Sequence, residues 1–420
     1  MCWPIGIPLT SLAVSPTAPP SPVAENRPAP KAGRFYVPQL DGLRFFAFLL
    51  VFFHHGPRMS VLFPAKSAGR VGLTFLQNWG WCGVDLFLVL SAYLITSLLL
   101  IEHEKYHAIS LRGFYLRRIL RIWPLYYLMA TIGFFLMPWL GLFAEPLNSA
   151  SHAKLMKDHF LAYYTLFGNY SSGAHSYPSV WTLAHLWTVT LEEQFYIVWP
   201  LILSLMLRLR RAALWALIPA LLVGTICLRL HYVGHSRHPF IWTNTLTRLD
   251  PLLMGIALAL WRRTHPPRPG WLIPILKLAL GVGAVVAISW APPIEMQSRN
   301  IAWQFLATAG GFALILDAVL PLGRNPLSWF LSRQPLVWLG KLTYGLYVYH
   351  ILGLQFGGLL VALLQRHHWV KTEAAVLVSH SVVAFALTVA VAAISYRFFE
   401  SFFLRMKDKL SRVKSRPVRN

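Results

Sequence analysis

Residues 40–55 read LDGLRFFAFLLVFFHH, an apolar run that nonetheless carries Asp41, Arg44, His54 and His55. Ionisable groups at membrane depth cost about 2.5–3.5 kcal/mol each on insertion scales, so they usually have a partner or a task. At about 100° per residue, Arg44 and His55 fall about 20° apart on a helix, whereas His54 points about 80° away from Arg44. Asp41, Arg44, Phe48, Phe52 and His55 therefore form one stripe, and helical phase selects His55 as the working histidine. The rise from Arg44 to His55 is about 16 Å, enough to join one membrane face to the far half of a bilayer. The competing reading is an Asp–Arg pair that only packs helices, with His55 at the interface.

The rest of the chain agrees with a membrane setting. Of 420 residues, 56% are hydrophobic and 13% charged, against about half and a quarter in soluble domains. The net charge of +23 lies mostly in basic residues between apolar runs. That is the positive-inside pattern rather than a nucleic-acid footprint. It also suits anionic lipid or a phosphorylated ligand. Three cysteines, Cys2, Cys82 and Cys227, make neither a disulfide framework nor a zinc site.

The expected fold is all-α and polytopic. Ten spans are expected: 40–55, 83–100, 122–142, 186–207, 212–232, 245–261, 271–290, 301–320, 336–362 and 374–397. The short run 160–167 is too brief to cross about 30 Å of hydrocarbon and is expected as a re-entrant or interfacial helix on the outer side. Residues 1–34, rich in Pro, Ala and Ser, are expected as a disordered cytosolic tail, 35–403 as the membrane domain, and 404–420 as a basic cytosolic tail.

Within these spans, Asp85 and Ser91 interrupt WCGVDLFLVLSAYLIT. For Asp85 a direct role and a salt bridge to an arginine of another span both stand open; Ser91 is expected to bond backbone. In FYLRRILRIWPLYY, Arg117, Arg118 and Arg121 suit phosphates, and Trp123, Tyr126 and Tyr127 offer faces for a purine. Interfacial anchoring explains the same residues. In AHLWTVTLEEQFYIVWP, His185 and Glu192 lie seven apart, hence on one helical face, as a proton-handling pair or part of a transporter pathway. Arg248 and Asp250, Tyr344, Tyr347 and His350, and Tyr396 and Glu400 are weaker signals taken singly. No HExxH, GxSxG, P-loop or GxGxxG pattern is present, so metalloprotease, serine hydrolase and NTPase readings lack support.

In order, LDGLRFFAFLLVFFHH, GVDLFLVLSAYLIT, FYLRRILRIWPLYY, HLWTVTLEEQFYIVWP, TRLDPLLMG, LTYGLYVYH and SYRFFE resemble the acyltransferase-3 family of multi-pass membrane acyltransferases. The resemblance covers about residues 36–405. It implies transfer of an acyl group, most simply acetyl, from acyl-CoA to a hydroxyl of a carbohydrate or glycolipid acceptor, without a metal. The family's Arg–x10–His pattern falls on Arg44 and His55, and its SLxxE-type glutamate on Glu192. Arg117, Arg118 and Arg121 would serve the acyl-CoA side. His55 would be the catalytic base or an acyl carrier, Arg44, Glu192 and Asp85 its catalytic supports, and His185, Tyr347 and His350 the acceptor or oxyanion side. A bacterial plasma membrane with both termini cytosolic is implied. Ala92 replaces a usual Gly, where a helix bend is at stake, and Ser401 follows Glu400 where many members have Arg-Pro. Some relatives continue into an extracytoplasmic esterase-like domain; here delivery is expected unaided or to a separate partner. A proton-coupled transporter or flippase using the same charges is the rival reading.

Overall fold

The structure is a computed structural model that describes residues 36–208, 211–267, 270–293, 298–320 and 326–409. The expected tail 1–34, Arg210, Arg268, Arg324 and most of the basic C-terminus lie outside the described residues. Among the described residues every regular element is helical. The long helices are α1 (Pro38–His55), α2 (Ala68–Trp79), α3 (Gly83–Tyr106), α4 (Leu111–Thr131), α5 (Trp187–Met206), α6 (Arg211–Tyr232) and α7 (Asp250–Thr264). They continue with α8 (Leu272–Ala287), α9 (Ile301–Val319), α10 (Gln334–Arg366), α11 (Glu373–Ser395) and the shorter α12 (Ser401–Lys409).

Seven helical stretches among the described residues are long and apolar enough to cross a membrane. The remaining three expected spans are helical: α1 and α5 carry charges that lower their apolarity, and α7 is only 15 residues long. Burial ranks the bundle from inside to outside. In the most apolar windows, 67% of residues are buried along 68–106, but only 22% along 272–290 and 17% along 373–407. Exposed Leu272, Ile273, Leu276 and Leu280 on α8 therefore face hydrocarbon, where apolar side chains need no protein cover.

The charged α1 sits inside, packed on α3 and α10. Two glycines permit that approach. A Cβ on Gly340 of α10 would lie 2.0 Å from the Asp41 carbonyl oxygen, and one on Gly83 of α3 would lie 2.4 Å from that of Ala47. Gln39, at the start of α1, donates to the Val319 carbonyl at 3.3 Å, tying the end of α9 to the same edge of the bundle.

Helix α4 starts earlier than the expected third span. Ser110 caps it, accepting from the Gly113 amide at 3.4 Å, and the Arg-rich block lies inside the helix rather than in a loop. The long arginine stems tolerate a helix at the bilayer edge because they reach polar surroundings from there. Residues 150–164 form a helix with one π turn, and the chain reverses at Leu166 (φ 64°) into Gly168–His175. The reversal is held at the depth of α5's second turn, where Gln194 donates to the Leu166 carbonyl at 2.9 Å. These residues form a helical hairpin, longer than the apolar run 160–167 alone suggested. Helix α3 is unbroken through Ala92, and the tail expected from residue 404 begins inside α12.

Candidate active site

His55 ends α1 beside α10. Its Nδ1 lies 3.1 Å from the Val51 carbonyl oxygen and 3.2 Å from His350 Nε2. His350 Nδ1 in turn lies 2.5 Å from the Tyr347 carbonyl oxygen. A ring nitrogen against a carbonyl must carry the proton, so neutral His350 keeps its lone pair on Nε2 and accepts from His55. By the same logic the His55 proton sits on Nδ1, and Nε2 holds the lone pair. His54 Nδ1 is instead occupied by the Gln77 carbonyl at 2.9 Å. The two neighbouring rings thus hold different partners, although both border the same cavity. His185 donates through Nε2 to the Val348 carbonyl at 3.1 Å, and its ring centre is 5.0 Å from that of His350.

His54, His55 and His185 line a cavity of about 580 Å³ whose walls include Trp81, Trp187 and Trp242. At the other end of α1, Arg44 donates to Asp41 at 2.7 Å, and the Tyr36 hydroxyl donates to the same carboxylate at 3.0 Å. A second cavity, of about 110 Å³, is lined there by Arg44, Arg118, Arg121, Glu192, Tyr196 and Tyr344, among others. A third, of about 100 Å³, shares Arg44, Ser91, Arg118, Arg121 and Tyr196 with it. Tyr196 donates to Glu192 and hydrogen-bonds Ser91, and Arg118 lies 5.2 Å over the Tyr196 ring.

Val84, Thr188 and Tyr347 line both the histidine cavity and the arginine cavity. They form the wall between them. The Tyr347 and Thr188 hydroxyls are 2.6 Å apart, one donating to the other, and both lie within hydrogen-bond reach of the His185 carbonyl, at 3.0 and 3.1 Å respectively. A cavity lined by three arginines and a glutamate thus adjoins the histidine cavity across the Tyr347–Thr188 wall.

Several sequence expectations come out differently. His185 and Glu192 do not share a helical face, because α5 begins only at Trp187. They lie on opposite sides of the Tyr347–Thr188 wall, so they are not a proton-handling pair. Arg117, although about 40° from Arg121 on the helix, turns to Glu102 at 3.4 Å and lines none of the three cavities. Trp123, Tyr126 and Tyr127 are engaged in packing rather than set out as a purine platform: Trp123 donates to Glu193 of α5, and Tyr126 and Tyr127 donate to the carbonyls of Tyr163 and Tyr164 in the hairpin. Asp85 is bound by Arg248, whose guanidinium is sandwiched 4.1 Å from Trp242 and 4.0 Å from Phe305. Beside it, Asp250 pairs with Arg229 at 2.5 and 2.9 Å. All four charged residues are fully buried, as two compensated ion pairs.

Sequence reasoning did not single out Thr188 as a wall residue, the three tryptophans, Arg229 or Lys407. A lone arginine in the apolar stretch 215–232 was a usable signal for Arg229; the others became visible only when distant helices met. Among the described residues, no group of three or more His, Cys, Asp or Glu is placed to hold a metal ion.

Comparison with known proteins adds the ancestry of this arrangement. The chain is similar to peptidoglycan O-acetyltransferase OatA of Listeria monocytogenes, with 27% identity over 90% of this chain and 58% of that protein. It is also similar to "Putative peptidoglycan O-acetyltransferase YrhL" of Bacillus subtilis, with 33% identity over 75% of this chain and 48% of the relative. The chain thus spans about half to three-fifths of the length of these relatives. No solved structure matches it significantly. The family model described as an acyltransferase domain covers residues 37–397, α1 through the turn that follows α11, and on that match the chain belongs to the acyltransferase-3 family.

Proposed function

We propose that this protein moves an acyl group, most simply acetyl, from cytosolic acyl-CoA to a hydroxyl of a carbohydrate-containing acceptor at the outer side of a bacterial plasma membrane. The observation that carries the reading is the pair of cavities back to back, one basic and one bearing the His55 lone pair, with Tyr347 between them. The names of the relatives support a polysaccharide acceptor such as peptidoglycan.

In this reading Arg118 and Arg121 hold phosphates of the donor, and Arg44, steadied by Asp41, guides its acyl end toward Tyr347. Glu192 keeps Tyr196 in place. The acceptor hydroxyl enters the tryptophan-walled cavity and gives its proton to His55 Nε2, while its oxygen attacks the thioester carbonyl carbon. The tetrahedral oxyanion receives a hydrogen bond from the Tyr347 hydroxyl, released from the His185 carbonyl. It collapses with cleavage of the C–S bond, and the proton held by His55 passes to the leaving thiolate. Ester and free CoA result. His350 holds His55 in the tautomer this needs, and His185 fixes the wall.

The test uses the purified protein in nanodiscs with radiolabelled acetyl-CoA, alone and with an added glycan. Wild type should consume thioester and label the glycan; folded His55→Gln should do neither. Label appearing on wild-type protein before acceptor is added would replace the general base by an acyl-histidine relay. A panel of acyl-CoA species that neither binds nor turns over would remove the donor assignment and favour a transporter.

A further inference from the structure

We infer that Arg58 binds an anionic group, carboxylate or phosphoryl, carried by the acceptor close to its reacting hydroxyl, and so selects acidic glycans for the histidine cavity. The inference deepens the acyl-transfer reading above and rests on it. Arg58 follows the end of α1 by three residues and lines the cavity that His55 borders. The turn that carries it is clamped. Gln77 of α2, 2% exposed, accepts through its carbonyl from His54 Nδ1 at 2.9 Å. Its side chain donates to the Pro57 carbonyl at 2.6 Å and accepts from the Ser60 amide at 3.3 Å. One buried residue thus grips the chain on both sides of Arg58, and the backbone beneath the guanidinium is fixed relative to His55.

Arg58 donates to the side-chain oxygen of Asn78 at 2.5 Å, a neutral partner, whereas Arg44 at the other end of α1 is paired with Asp41. No carboxylate stands among the residues lining the histidine cavity, and Arg58 is the one arginine or lysine among them. Much of the remaining wall is apolar, with Trp81, Trp187 and Trp242 all buried. Low-dielectric walls focus the field of such a charge and raise the local concentration of ligands of opposite sign. The bond to Asn78 uses Nη1, and the Nε–Nη2 edge carries the parallel N–H groups that two carboxylate or phosphoryl oxygens accept. Arg58 is exposed, so an anion reaches it without the protein opening. Three residues of chain extend at most about 10–11 Å, which puts the acid group on the reacting sugar or an adjoining one.

The experiment measures acetyl transfer from radiolabelled acetyl-CoA by the full chain in phosphatidylcholine nanodiscs. The probes are two acidic tetrasaccharides, one containing glucuronate and one a sugar phosphate, each beside its uncharged methyl ester. Wild type should favour at least one free acid over its ester by about tenfold or more in kcat/KM. Arg58→Gln should abolish that preference, chiefly by raising KM for the acid. Arg58→Lys, which keeps the charge without the fork, should retain part of it. Arg70→Gln, on α2 and outside the three cavities, should retain all of it. Should Arg58→Gln fail to fold, Arg58→Met serves the same comparison. No preference in wild type, or thioester consumed with neither acid labelled, would overturn the inference and leave acyl transfer standing. Equal losses for acid and ester in Arg58→Gln would reduce Arg58 to a residue of the turn. Absence of thioester consumption by wild type would remove the acyl-transfer reading and this inference with it. A loss for acid and ester alike, seen only in phosphatidylglycerol nanodiscs, would assign Arg58 to a lipid headgroup instead.

Discussion

His55 and His54 are adjacent in sequence, border one cavity and hold different partners. One Nδ1 is held by His350 at the edge of a cavity, the other by a backbone carbonyl of α2. Under the proposed chemistry, His55→Gln should lower turnover about 10²–10⁴-fold, the usual range for removing a general acid–base group. His54→Gln should change turnover far less and act mainly on thermal unfolding; an equal loss of turnover would undo the assignment by phase. At the wall, Tyr347→Phe removes a hydroxyl that joins Thr188 and the His185 carbonyl. Steady-state kinetics should show a fall in kcat with little change in CoA affinity, because the phenol sits at the acyl end of the site. A change confined to affinity would place Tyr347 with donor binding instead.

Helix packing turns those side chains into a site. Because a Cβ on Gly340 would meet the Asp41 carbonyl, Gly340→Val must push α10 away from α1. Overpacking of that kind costs about 1–3 kcal/mol, and the same shift separates His350 from His55. Thermal unfolding and turnover should therefore fall together in that variant. The buried pairs of α3, α6 and α7 behave otherwise. Asp85→Ala leaves Arg248 uncompensated between two aromatic rings and should destabilise the fold by about 3–5 kcal/mol, read by chemical unfolding in detergent. CoA affinity of the protein that remains folded should be close to wild type, since Asp85 lines none of the three cavities. A selective loss of CoA binding would give Asp85 the direct role that the sequence left open.

Across the whole molecule, Tyr36 and Lys407 line the same cavity, so both described ends of the chain meet at the Arg44 edge of the bundle, opposite His55. With that edge cytosolic, as the basic residues suggest, proteoliposomes of defined orientation should consume acetyl-CoA only when it is supplied on the Arg44 side. Consumption from the His55 side would reverse the proposed route.

Much of this was legible in the chain alone, for local reasons. Hydrophobic runs are contiguous, and helical phase is a property of one segment, so the membrane fold and the Asp41–Arg44 pair on α1 needed no distant partner, whereas phase did not foresee that His54 borders the same cavity as His55. The same arithmetic misled at His185, where α5 had not yet begun, and it could not see that Arg117 points away from Arg118 and Arg121 toward Glu102. Pairing across helices lay outside its reach. Asp85 with Arg248 is separated by 163 residues, and His55 with His350 by 295. Such contacts arise from the close approach of helices distant in sequence, which decides whether a buried charge is neutralised by a partner or left to face a ligand.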